Sequence, residues 1–90
     1  MMMDTSFKQA LKAKAHHLKP VVLLGAKGLT PSVIGETDTA LLTHELIKIK
    51  IHGAEKPERE TVVNALCQQL EADLVQLIGH VAILYRKNKQ

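Results

Sequence analysis

The chain has 90 residues, 46% of them hydrophobic, and a formal net charge of +3. A chain of this length makes one small domain that buries roughly 60% of its unfolded surface, and its apolar content excludes a disordered tail. The excess of Lys and Arg over Asp and Glu directs attention to polyanionic partners.

The spacing of Phe7, Leu11, Ala15 and Leu18 predicts an amphipathic helix over Thr5–His17, with Lys8, Lys12 and Lys14 mostly on its other faces. Lys19-Pro20 ends it, because the residue before a proline is pushed out of the helical region. Val21-Val22-Leu23-Leu24 is a short unbroken apolar run between Pro and Gly. It reads as a strand buried on both faces. Thr30 is a good N-cap and Pro31 suits the first helical position, so a second helix starts there and runs to about Thr43, with Val33, Ile34, Thr37 and Leu41 on one face.

From Leu46 to His52, Ile47, Ile49 and Ile51 alternate with Lys48, Lys50 and His52. This is a strand with one apolar and one basic face. A third helix opens at Pro57, with Glu58 and Glu60 in its first turn, where they complement the helix dipole. Its stripe is Val62, Leu66 and Leu70, with Val63 and Cys67 beside it. Leu74–Ile78 and Val81–Tyr85 pair as an antiparallel hairpin across Gly79-His80. Arg86 to Gln90 is a polar, basic end that is expected to fray.

These elements define an α/β fold in the order α-β-α-β-α-β-β: a single compact domain over 1–90, with an ordered core over about 5–86, a basic tail over 87–90, and a four-stranded mixed sheet packed with three helices. The first two strands should be parallel, joined by a right-handed crossover. Helices two and three are expected on one face of the sheet. The first strand's second apolar face needs cover as well, and the N-terminal helix is the only spare element.

Between the first strand and the second helix stands Gly25-Ala26-Lys27-Gly28. A loop from a strand's C-terminal end into a helix N-terminus suits an anion, since unpaired N–H groups gather at the positive end of the helix dipole. Glycines permit positive φ and close approach of another backbone. The spacing fits neither the nucleotide P-loop nor the dinucleotide G-x-G-x-x-G loop. It is comparable to the short clamp of KH domains, although that lies between two helices, and spacing alone favours a plain strand-to-helix turn. Lys19, Lys27, Lys48 and Lys50 would make the surroundings basic, although each alone is compatible with an ordinary solvated lysine. A sheet face carrying Lys48 and Lys50 is a poor surface to pack under a helix.

Other chemistry finds no support. The five histidines have no metal-ligand spacing with Cys67. Cys67 lies on the apolar side of its helix and reads as a buried, inert thiol. No general base stands near the serines, so no catalytic constellation, cofactor, metal or small-molecule substrate is expected. A lone cysteine makes no internal disulfide, and a small domain without such staples points to a reducing cytoplasm. The segment MMMDTSFKQ lacks the apolar core of a signal peptide, and its leading methionines read as an ambiguous start site. No apolar run reaches membrane length.

Four blocks then carry a resemblance: HLKPVVLLGAKGLT over residues 17–30, ELIKIK over 45–50, QLIG over 76–79 and LYR over 84–86. In this order they resemble the CRM domain (chloroplast RNA splicing and ribosome maturation), and more closely its stand-alone bacterial YhbY-like form. The resemblance implies a fold similar to the C-terminal domain of a bacterial translation initiation factor. It also implies binding of RNA, with ribosomal RNA in precursors of the large (50S) subunit as the partner and an assembly role. The loop carried over comprises Gly25, Ala26, Lys27 and Gly28; Lys19, Lys48, Lys50 and Arg86 are added as basic neighbours. His17 stands where the family often has Pro, and His80 where Lys or Arg is common, which removes a full charge at neutral pH. A monomer is the default. The alternative is an adaptor that contacts proteins through the apolar first strand or the second helix, without touching RNA.

Overall fold

The computed structural model describes residues 4–88. The methionines at 1–3 and the last two residues of the basic tail lie outside the described residues. Helix α1 (Thr5–Ala15) is followed by β1 (Val22–Leu24), α2 (Pro31–His44), β2 (Leu46–Ile51), α3 (Lys56–Leu70), β3 (Asp73–Ile78) and β4 (Val81–Tyr85). The expected order and class hold.

Local chemistry accounts for the ends of these elements. Asp4 Oδ1 accepts the Phe7 N–H at 2.8 Å and starts α1. The helix stops at Ala15, short of His17, and the chain leaves through a turn in which the Leu18 N–H donates to the Ala15 carbonyl. Thr30 Oγ1 accepts the Val33 N–H at 3.1 Å and Pro31 occupies the first turn, so α2 begins where its cap signals place it. Its C-cap, Glu45, has φ of 63°, and α3 ends on left-handed Glu71. Gly79 takes φ of 55° in the two-residue hairpin.

The sheet order is β1-β2-β4-β3, with β1 parallel to β2 and the other pairs antiparallel. One face carries Val22, Leu24, Ile47, Ile49, Ile51, Ala82 and Leu84, which pack with Leu41 of α2 and Val63, Leu66 and Cys67 of α3 to make the main core. Thr37 is the one buried polar side chain of α2, and its hydroxyl donates to the Val33 carbonyl at 2.7 Å. A smaller cluster of Leu11, Ala15, Val75 and Ile83, flanked by Leu46 and Tyr85, holds α1 on the opposite face. A bulge between Leu74 and Gln76 lets Val75 join that cluster.

Two expectations are corrected. β1 is an edge strand, and its pattern is buried, exposed, buried: Leu23 is 58% exposed. An unbroken apolar run therefore does not mean two covered faces here, because α1 packs on β2 and β3 and leaves the outer side of β1 open. The basic end does not fray from Arg86. Its guanidinium binds Asp38 Oδ1 at 2.8 Å, the Leu70 carbonyl at 3.1 Å and the Asp38 carbonyl at 3.2 Å. Asn88 follows suit, its N–H donating to Glu45 and its side-chain amide to the Leu42 carbonyl, each at 2.8 Å. These bonds tie the chain end to α2 and α3.

Candidate nucleic-acid interface

The G-x-x-G segment is a tight turn. The Gly28 N–H donates to the Gly25 carbonyl at 3.0 Å, and Gly28 has φ of 71°, a region that L side chains enter only with strain. Gly28 is therefore glycine for a reason internal to the fold. Gly25 is not: its φ is not positive, and a Cβ placed on it would meet nothing within 4 Å. The fold itself does not demand glycine at 25.

The amides divide in the same way. Gly28's N–H closes the turn and Val33's is capped by Thr30. Among the described residues, the N–H groups of Gly25, Ala26 and Lys27 have no protein acceptor. The turn ahead of α2 thus offers three adjacent donors, while the Thr30 side chain occupies the Val33 amide in the first turn of the helix. Ala26 and Lys27 are exposed at the tip. Behind the turn, Gly53 (φ of 80°) brings the β2–α3 connection against Ala26, 3.9 Å from its Cβ to a Cβ placed on Gly53.

His80 belongs to the same end of the sheet. Its Nδ1 lies 3.0 Å from the Ile51 carbonyl, an acceptor only, so Nδ1 carries the proton. The Ile51 N–H returns a bond to the His80 carbonyl at 2.7 Å. The hairpin is thereby fastened to the end of β2.

Lys48 and Lys50 point away from the main core, as the alternation in β2 requires, with Lys50 exposed and Lys48 half-buried. In register, Leu23, Lys50, Val81 and Ile78 make one row across all four strands. Leu23 and Ile78, at 61% exposure, leave the ends of this row open to solvent. Lys19 is exposed just before β1. None of Lys19, Lys27, Lys48 and Lys50 has an ion-pair partner among the described residues, where the one salt bridge is Arg86–Asp38. Arg86 differs from the other seven residues of the expected site. It is committed to internal bonds, and its side chain is only 17% exposed.

What the sequence reading missed is the neighbourhood of Phe7 and Tyr85. Seventy-eight positions separate them, yet their ring centroids lie 5.3 Å apart at an interplanar angle of 79°. Only a helix at one end of the chain docking on a strand at the other brings them together, and neither carries a local signal of it. Elsewhere, burial and then Asp73 raise the Cys67 thiol to about 11. Among the described residues no three His, Cys, Asp or Glu side chains gather where a metal could sit, and no helix is long and apolar enough to cross a membrane.

An α/β domain with a four-stranded mixed sheet, helices on both faces and a glycine turn between an edge strand and a capped helix defines the class. The CRS1/YhbY (CRM) domain model matches residues 3–86, and the chain belongs to that family. A protein of Haemophilus influenzae named "RNA-binding protein" is 46% identical over 88 residues, covering 98% of this chain and 89% of its own. One of Pseudomonas aeruginosa, named a probable RNA-binding protein, is 47% identical over 81 residues, covering 90% and 78%. The solution structure of a Staphylococcus aureus protein proposed to bind RNA superposes with a TM-score of 0.86 at 27% identity, over 99% of this chain and 93% of that one.

Proposed function

We propose that the chain binds RNA through the Gly25–Gly28 turn, with its contacts mostly to phosphate and sugar. The observation that carries this reading is the turn itself: three adjacent amides without a protein acceptor, beside a lysine, at a glycine the fold does not need. Such amides are strong donors, and a polyanion supplies their acceptors. A missing Cβ at Gly25 lets a ribose–phosphate chain come close. Lys27 then acts as a point charge on phosphate, and Lys19, Lys48 and Lys50 extend the field along the sheet. Arg86 is left out, because its guanidinium already serves the fold.

The names of the relatives support RNA as the partner. The resemblance to stand-alone bacterial CRM proteins supports the narrower reading: ribosomal RNA in large-subunit precursors and an assembly role; a monomer is the default, and the lone cysteine favours the cytoplasm.

The test is the salt dependence of RNA affinity. Losing one phosphate contact through Lys27→Ala should flatten the slope of log affinity against log salt by about 0.7 to 0.9. A folded variant with the wild-type slope would count against the clamp. The exposed Leu23 and Ile78 favour one second reading, an adaptor that docks a protein on the open half of the sheet. It requires binding that salt barely changes and purified protein free of nucleic acid.

A further inference from the structure

A groove of about 530 Å³ runs between α1 and the start of the sheet. Phe7, Leu11, Leu18, Val21 and Tyr85 supply its apolar lining, and Lys14, Lys19 and Lys48 stand around it. We propose that this groove takes an unpaired nucleobase of the same RNA strand whose backbone the glycine turn holds. The proposal rests on the RNA-binding reading and adds a second, chemically different site to it.

Three observations converge. First, the chain's only Phe and its only Tyr both line this one groove, and Phe7 is 41% exposed beside it. An aromatic ring left open to solvent offers a π-face, and every base has one to match. Second, the lining is apolar while the surrounding charges are cationic: Leu18 and Val21 are exposed, and Lys14, Lys19 and Lys48 have no ion-pair partner among the described residues. The one carboxylate in the lining, Glu45, accepts the Asn88 N–H at 2.8 Å. A base with apolar π-faces and phosphates on either side fits that pattern; a neutral acyl chain lacks the charge, and an acidic peptide without aromatic side chains lacks the flat face. The volume is also in the range of a small-ligand pocket, roughly 300 to 1,000 Å³.

Third, the groove and the glycine turn lie at the two ends of β1. Val21 precedes the strand and Gly25 follows it, so they are roughly 13 Å apart. Between them the same sheet face shows Leu23 paired with Lys50, and the Val21 N–H donates to the Lys48 carbonyl at 2.9 Å. Lys27, Lys50 and Lys48 therefore mark a cationic track from turn to groove. Phosphates on this track leave a base free to turn into the groove, where recognition of an unpaired RNA base by stacking becomes available.

The experiment compares an oligouridine of about twelve nucleotides with a ribose–phosphate chain of the same length that lacks bases. The wild-type chain should bind the base-bearing strand about tenfold more tightly. Phe7→Leu keeps an apolar side chain on α1 but removes the ring, and should abolish the preference while leaving the salt slope unchanged. Leu18→Gln, at an exposed turn position, removes apolar lining without adding charge; it should do the same and serves if Phe7→Leu fails to fold. Equal wild-type affinity for the two strands would overturn the groove assignment and leave the turn standing, as would a preference that survives both substitutions. Binding to neither strand would remove the RNA reading and this one together. Self-association that Phe7→Leu abolishes would instead give the groove to a second copy of the chain.

Discussion

Gly25 and Gly28 look alike in the sequence and differ in the molecule. Gly28→Ala forces a methyl group into φ of 71° and should cost about 1 kcal/mol of stability. Gly25→Ala meets no such strain and no neighbour within 4 Å, so its stability should stay within about 0.5 kcal/mol of wild type. If a polynucleotide backbone closes on the turn, Gly25→Ala nonetheless loses RNA affinity. Urea unfolding and filter binding on the same two variants separate the effects, and undiminished RNA affinity of Gly25→Ala would leave the close-approach argument without support. Cys67 gives a second test at this scale. Its thiol is raised by burial, then by Asp73, from an ordinary 9.0 to about 11. Between those values the unfolded chain has released a proton that the native chain retains. The stability is fully present below pH 9.0 and falls as pH rises toward about 11. Cys67→Ala should show a shallower loss of stability over that interval in denaturation at several pH values.

The elements carry their own signals where a single side chain makes the bond. Thr30 and Pro31 mark the start of α2, and Gly79-His80 marks the hairpin, because caps and tight turns are decided within four residues. Gly35 goes against its element. It sits inside α2 on an exposed position, without positive φ and with open space around it. Helix propensity alone then applies, and Gly35→Ala should stabilise the protein by about 0.5 to 1 kcal/mol, read as a higher denaturation midpoint at unchanged slope. A loss of stability would mean that the exposed face of α2 is covered by something. For α1 and β1 the local pattern was incomplete. The apolar spacing in α1 names Phe7, Leu11, Ala15 and Leu18; Leu11 and Ala15 are buried, while Phe7 and Leu18, the latter beyond the helix end, are exposed. Nothing in Val-Val-Leu-Leu distinguishes a central strand from an edge, since burial of its second face depends on where α1 lands.

Across the whole molecule, one side chain joins parts that the sequence holds far apart. Arg86 ties the end of β4 to Asp38 in α2 and to the last carbonyl of α3. Asp38 is 44% exposed, which weakens the ion pair, but the two carbonyl bonds remain. Arg86→Ala should therefore destabilise by about 2 kcal/mol, and Arg86→Lys should restore only part of it, because an ammonium cannot replace the planar fork. Surviving folded protein should keep its RNA affinity; a selective loss of affinity at unchanged stability would return Arg86 to the binding surface.

Class, element order, the parallel first two strands, the final antiparallel hairpin and the glycine turn were legible in the sequence, because periodicity, caps and turn residues act over a few positions and alternation in β2 separates isoleucines from lysines; the β2–β4 pairing was not. Tertiary structure alone decided which amides of the turn remain without partners, that Arg86 is an internal strut, that Leu23 faces solvent, and that Phe7 meets Tyr85 beside a groove bordered by lysines. The reason is physical: each of these depends on contacts between segments distant in the chain, and side-chain spacing carries no record of what the far segment will cover.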